Sequence, residues 1–204
     1  TCLVPHLEEY HQMHNRYPKA LTADAGFGSE ENYEFMEEKI DEAYVKYNYF
    51  HKEQTQKWKE NPFIIDNLYY NQELDCFYCP MGQPRNKIGI EKRKTRTGYV
   101  QKNTLYQAVK CKGCPLQGMC HKSKGERIIA CNHNLHRYKK KARKLLNSEK
   151  GVKHRGQRAW DVEGTFAILK HNKKFKRFLL RGKSKVEIEA GLLAIAHNIA
   201  KISA

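Results

Sequence analysis

The sequence lacks any long apolar run, and no stretch approaches the roughly 20 residues that a membrane-spanning helix needs. Its N-terminus has no signal-peptide pattern. There is no internal repeat, and no low-complexity tract beyond the lysine clusters. With 40% hydrophobic and 11% aromatic residues, the chain is expected to fold as one or two domains. We therefore expect a soluble cytoplasmic protein that does not bind membranes.

Acidic residues are scarce in one part of the chain. Residues 137–185 hold 18 Lys and Arg against three acids. Residues 1–50 hold four Lys and Arg against ten acids, a net charge of −6, so the remaining residues carry +22 and the total is +16. Such a basic segment attracts phosphate backbones through counterion release, which favours nucleic acid as the partner. A merely soluble basic surface or a membrane-surface patch is the alternative.

The N-terminal segment has the pattern of an α/β unit. Ala20–Ala23 predicts a strand that ends at Asp24, and Gly26 and Gly28 predict the turn after it. Ser29 is expected to cap a helix, and residues 42–50 predict a second strand. Helices are expected after residue 132, one ending at Gly151 as its C-cap and a long apolar one capped by Ser184.

Glu163 lies in the most basic region of the chain, and no basic residue stands at the helix positions where an ion-pair partner is expected. Positions three and four residues away hold Ala159, Trp160, Phe166 and Ala167, none of which is basic. One hypothesis is an ion pair with a distant Arg, and the other is metal binding. Two Mg²⁺ ions about 4 Å apart, as in enzymes that cut DNA, need several carboxylate oxygens. Asp24, at a strand end, is a candidate second ligand, although an Asp there can also simply form a turn.

Six of the seven cysteines lie between residues 76 and 131. Cys76, Cys79, Cys111 and Cys114 have the spacing of a zinc ribbon, with Cys120 and Cys131 as alternative ligands. The pattern Cys111-x2-Cys114-x5-Cys120, with one distant Cys, is also typical of a [4Fe-4S] site. Structural Zn²⁺, an iron-sulfur cluster and reduced unligated thiols all stay open. The segment has little aliphatic sequence, so we expect a metal to stabilise it.

Five stretches together resemble the DDE transposases of bacterial insertion sequences, in the group with a cysteine-bearing insert before the last acidic residue. They are "TADAGFGSEENYEFMEEK", "VKYNYF", "CKGCPLQGMC", "RAWDVEGTFAILKHNKKFKRFLLRG" and "EAGLLAIAHNIAKI". The resemblance implies an α/β fold with a partial RNase H-like core. Residues 1–55 and the C-terminal helices, 136–204, would form that core, and 56–135 would be a cysteine-rich, metal-stapled β insert.

The resemblance also implies catalytic roles and partners. Asp24 matches the second acidic residue of the family and Glu163 the third, and together they would help to hold two Mg²⁺ ions. No Asp precedes Asp24, so we expect the C-terminal part of a longer transposase that is inactive alone. The alternative is a non-catalytic, metal-stapled DNA-binding remnant.

The expected partner is double-stranded DNA, both at the transposon ends and at the target. The protein is expected to associate with the nucleoid, with a homodimer as a possible assembly. The expected DNA contacts are Arg158, Lys170, Lys173, Lys174, Lys176, Arg177 and Arg181.

Overall fold

The structure is a computed structural model that describes residues 2–203. Its contacts divide the chain into two units, Thr1–Gly151 and Val152–Ala204, which are described separately. The helices of the chain are α1 Leu3–His14, α2 Glu30–Lys39, α3 Gln56–Lys59, α4 His133–Leu146, α5 Glu149–Arg158, α6 Gly164–Ala167 and α7 Lys183–Ile202. The strands are β1 Ala20–Ala23, β2 Glu42–Val45, β3 Tyr70–Asn71, β4 Cys76–Tyr78, β5 Pro84–Lys94, β6 Val100–Ala108 and β7 Ile128–Cys131.

The first unit begins with a parallel pair of strands and the helix between them. β1 pairs with β2 from Ala20 opposite Glu42 to Ala23 opposite Val45, and the bounds predicted for β1 are confirmed. The second predicted strand is too long, since β2 ends at Val45 and the chain turns where Phe50 N donates to Tyr47 O at 3.0 Å. Ser29 caps α2 as expected, because its Oγ accepts from Asn32 N at 3.3 Å. The α/β expectation is therefore confirmed for this segment.

A five-stranded antiparallel sheet, in the order β3-β4-β5-β6-β7, follows within the same unit. β5 and β6 form its longest hairpin. One face of the sheet covers a small cluster of buried side chains: Leu68, Phe77, Tyr106, Ile129 and Cys131. These few side chains bury much less apolar surface than a full domain core, in agreement with the scarcity of aliphatic residues in this part of the sequence.

Helix α4 returns the chain to the parallel strands. Tyr138, Ala142 and Leu146 recur at intervals of four residues and are buried in the main core with α1, α2 and β2. The helix ends at Leu146, so the predicted end at Gly151 is wrong. Gly151 lies inside α5 and is buried, and its amide donates to Ser148 Oγ at 3.1 Å. Ser148 and not Gly151 therefore marks the break between the two helices.

The second unit is helical and exposes many of its apolar side chains. A π-helical turn, Ala159–Glu163, follows α5, and a second one, Ile168–Asn172, follows α6. α7 begins at Lys183 with Gly182 as its N-cap, so Ser184 is not the cap. His197 on α7 is buried and both of its ring nitrogens lack a hydrogen bond. None of the helices within residues 2–203 combines the length and the apolar character that crossing a membrane requires.

Candidate functional site: two carboxylates, a basic segment and a cysteine pocket

Asp24 lies where the parallel strands end. It directly follows β1, and Lys46 directly follows β2, so the register of the two strands brings these side chains together. Lys46 Nζ stands 3.0 Å from Asp24 Oδ1. The Asp24 side chain is 53% exposed, so solvent and small ions can reach it. The carboxyl ends of parallel strands are where α/β folds place ligands and catalytic groups.

The loop that carries Asp24 is pressed against the end of β2. A Cβ atom on Gly28 would stand 2.4 Å from Lys46 O and 2.6 Å from Tyr47 Cα, so this position requires glycine. Asn32 Nδ2 donates to Phe27 O at 2.9 Å and ties the loop to α2. The loop therefore holds the Asp24 backbone in a fixed place beside β2.

Glu163 lies at the end of the first π-helical turn, and its side chain is exposed. No hydrogen bond or ion pair within the described part of the second unit ends on its carboxylate. The neighbours expected at three and four residues assume an α-helix, whereas a π turn joins backbone groups that are five residues apart. Such turns occur often at functional sites. The sequence alone gave no sign of this irregularity.

Four of the seven basic residues predicted to contact DNA line a groove beside α7. Lys170, Lys173, Lys174, Lys176, Arg177 and Arg181 are exposed and Arg158 is half-buried. Lys173 Nζ donates to Ala196 O at 3.0 Å, and Lys173, Lys174, Lys176 and Arg177 line the groove. Glu189 holds the segment in front of α7, because its carboxylate accepts from Leu179 N and Leu180 N at 2.9 Å. No ion pair joins the exposed lysines and arginines between Lys170 and Arg181 to an acid within the described part of the unit.

Asp24 belongs to the first unit and Glu163 to the second. Among residues 2–203, no three side chains of His, Cys, Asp or Glu form a ready-made metal-binding group. The assignment of Asp24 and Glu163 as magnesium ligands therefore stays a prediction, as does the choice of zinc ligands.

The cysteines of the sheet fall into two sets. Cys79, Cys111, Cys114 and Cys120 line one small pocket, here called the cysteine pocket. Cys76 and Cys131 are buried within β4 and β7 and do not line it. Burial raises the pKa of the Cys131 thiol to about 12 and also raises that of the Cys111 thiol. Three members of the predicted zinc-ribbon set are thus brought together with Cys120, and Cys76 lies outside them.

The structure also shows charged residues whose partners the sequence did not predict. Arg137 Nη1 stands 3.0 Å from Glu37 Oε1, and Lys141 pairs with the same carboxylate. Arg143 Nε stands 2.7 Å from Glu53 Oε1. The opposite net charges of residues 1–50 and of α4 were the signal that could have predicted this pairing.

A family model described as a transposase DDE domain matches residues 78–203, which is more than half of the chain. The match includes the cysteine pocket, Glu163 and residues 170–181, here called the basic segment, while Asp24 precedes it. No curated protein and no solved structure shows a match to the chain.

Proposed function

The chain belongs to the family of transposase DDE domains, and we propose that it forms the C-terminal part of a catalytic core that cuts and joins DNA phosphodiesters at transposon ends. One observation carries this proposal: Glu163 is an exposed carboxylate, without a pairing partner in the described part of its unit, in the most basic region of the chain. A lone carboxylate weakens phosphate binding by repulsion unless a cation stands between it and the phosphate. That arrangement is what a metal-dependent nuclease or transposase requires.

Asp24 and Glu163 would hold the two Mg²⁺ ions that the family uses, together with an Asp from a segment outside this chain. Their chemistry fits the ion, since Mg²⁺ takes carboxylate oxygens and keeps several waters, and both side chains reach solvent. When bound, these ions supply Lewis-acid stabilisation and an activated water or 3′-hydroxyl. The chain itself contributes the fixed loop of Asp24 and the ammonium group of Lys46, which orients that carboxylate.

The basic segment would bind the DNA backbone. Lys170, Lys173, Lys174, Lys176, Arg177 and Arg181 have no acidic partner in the described part of their unit, so their charges remain available to phosphates. Contacts of this kind fix the position of the duplex but read no sequence. We propose double-stranded DNA as the partner, with Arg158 at the edge of the segment and a homodimer as the assembly that joins two transposon ends.

A second candidate is a remnant that binds DNA without cutting it. Residues 1–23 contain no Asp, and the described residues contain no ready-made group of three metal-binding side chains. Both observations lead us to expect that a polypeptide of residues 1–204 binds DNA and leaves it intact. The two candidates differ in what happens when an upstream strand bearing an Asp is added.

Strand cleavage by the full-length transposase tests the first candidate. Glu163→Gln is expected to lower cleavage of a transposon-end duplex by about 10³-fold or more, because an amide is a much weaker magnesium ligand. DNA affinity should stay within about threefold of the wild type. Asp161→Asn is the matched control, since Asp161 is exposed on the same helical turn, and it should retain cleavage. If the Glu163→Gln variant retained cleavage, Glu163 would not be a magnesium ligand.

A further inference from the structure

The topology of the antiparallel sheet brings two cysteine-bearing segments to one end. Cys79 lies in the turn between β4 and β5, and Cys111 follows the end of β6. Arg85, at the start of β5, is in register with Ala108, at the end of β6. The turn and the loop that follows β6 therefore meet beside Arg85, and the loop adds Cys114 and Cys120 to the same pocket.

The backbone around these cysteines is folded into tight turns. Gly82 N donates to Cys79 O at 2.8 Å, and Cys114 N donates to Cys111 O at 3.0 Å. Gly82 and Gly113 have φ angles of 73° and 76°, in a region that L-residues rarely adopt. Two such turns, each beginning at a cysteine and containing a glycine with positive φ, resemble the knuckles of thiolate metal sites.

The buried side chain of Arg85 is the strongest indication that the cysteine pocket holds a negatively charged group. The side chain is 1% exposed, and its Nε and Nη1 have no hydrogen-bond partner. Its Nη2 donates weakly to Cys120 Sγ at 3.8 Å, and no carboxylate lines the pocket. Burial of a guanidinium without an anion is strongly unfavourable. Neutral thiols do not offset that cost, whereas four thiolates around a metal do.

A second arginine approaches the same sulfur. Arg127 Nη1 donates to Cys120 Sγ at 3.0 Å, and its backbone N–H donates to Cys111 Sγ at 3.5 Å. Hydrogen bonds from N–H groups to ligand sulfurs are a usual part of the surroundings of thiolate metal sites. Cys76 and Cys131 have different surroundings, since Cys131 packs among Phe77 and Tyr106 in the apolar cluster.

The pocket is small. It has room for about 20 Å³, close to the space that one water molecule occupies. A single ion fits this space as it stands, whereas a cluster of four irons needs more room than this. Because the described residues include no ready-made group of three ligands, metal binding would also rotate the thiols toward the centre of the pocket.

We propose that Cys79, Cys111, Cys114 and Cys120 together bind one thiolate-seeking metal centre, with Arg85 beside it as the balancing charge. Four thiols release four protons when they bind Zn²⁺, and the resulting site carries two negative charges. The site fastens the loop after β6 to the hairpin of β4 and β5. It is independent of the proposed catalytic carboxylates, so either assignment can fail without the other.

Metal analysis of the purified chain, with single cysteine variants, tests the site. The wild type should carry about one zinc per chain, or iron with the visible absorption of a cluster, and the absorption spectrum tells the two apart. Cys111→Ser and Cys120→Ser should lose most of the metal. Cys76→Ser and Cys131→Ser are the matched controls, because these side chains are 3% and 2% exposed and would disturb packing at least as much.

Arg85→Met separates ligand loss from unfolding, because it leaves every cysteine in place. It should weaken metal affinity by about 10- to 100-fold, as loss of an outer partner does at other metal sites. A chelator should lower the melting temperature of the wild type and of Cys76→Ser, and leave that of Cys120→Ser unchanged. A chain without bound metal, or metal that depends on Cys76 or Cys131 and not on Cys120, would overturn the proposal.

Discussion

Two basic segments of similar composition differ in what surrounds their charges. On α4, Arg137 and Lys141 pair with Glu37, and Arg143 pairs with Glu53. Between Lys170 and Arg181, the basic side chains have no acidic partner within the described part of their unit. The basic residues of the two segments therefore differ in their interactions. The first unit uses its basic residues to join α4 to the acidic N-terminal segment, and the second leaves its own available to a polyanion.

The two units also differ in packing, and α5 crosses from one to the other. Gly151 is buried, and a Cβ there would stand 2.2 Å from Leu145 O and 2.7 Å from Leu146 O. Gly156 lies on the same helix in the second unit, and a Cβ added to it would have no neighbouring atom within 4 Å. A side chain is therefore excluded at Gly151 and tolerated at Gly156 on the same helix.

The largest expected effect is that of Gly151→Ala. We expect it to destabilise the first unit by about 2–4 kcal/mol, because the clash is with backbone atoms that cannot rotate away. Gly156→Ala should be neutral or stabilising by up to about 1 kcal/mol, since alanine favours a helix. Urea unfolding measures both effects, because Trp58 reports on the first unit in a Trp160→Phe background and Trp160 reports on the second in a Trp58→Phe background. Equal midpoints for the two variants would contradict the difference in packing.

A smaller effect is expected from acid titration of the first unit. Hydrogen bonds from Lys87, above all, and from Tyr106 and Tyr70 lower the pKa of Asp75 to about 2 from its ordinary 3.8. A lowered pKa stabilises the fold above pH 3.8, and that contribution disappears as the pH falls through about 2. The effect is moderate because the Asp75 side chain is 38% exposed.

Urea midpoints between pH 5 and about pH 2 measure that contribution. Asp75→Asn should flatten the loss of stability in this window relative to the wild type. Asp161→Asn, an exposed position in the second unit, serves as the control and should leave the profile unchanged. Parallel profiles for the wild type and Asp75→Asn would show that Asp75 is not held by these partners.

The sequence predicted those elements that local chemistry determines. The bounds of β1 follow from the apolar run Ala20–Ala23 and the Ser29 cap from the hydroxyl at the start of α2, and both are confirmed. The end of α4 could not be predicted, because Gly151 has the signature of a C-cap yet is required by the close approach of the Leu145 and Leu146 carbonyl oxygens at the break between α4 and α5. Residue types alone do not fix where one helix ends and the next begins.

The candidate site was predictable only in part. The spacing of the cysteines gave several ligand sets, and only the fold of the loop after β6 places Cys120, and not Cys76, in the cysteine pocket. Arg85 had no sequence signal, since an arginine on a strand is usually exposed. The charge pattern marked the region of Glu163, but the π-helical turn that presents this residue depends on hydrogen bonds that the sequence does not reveal.

The salt dependence of DNA binding tests most directly the claim that the two basic segments differ. Two double variants each remove one Lys and one Arg: Lys176→Gln with Arg177→Gln, and Arg137→Gln with Lys141→Gln. The first should lower the slope of log K against log salt by about 2 and weaken binding, because two phosphate contacts are lost. The second should leave the slope within error of the wild type. Equal slopes for the two variants would contradict the account.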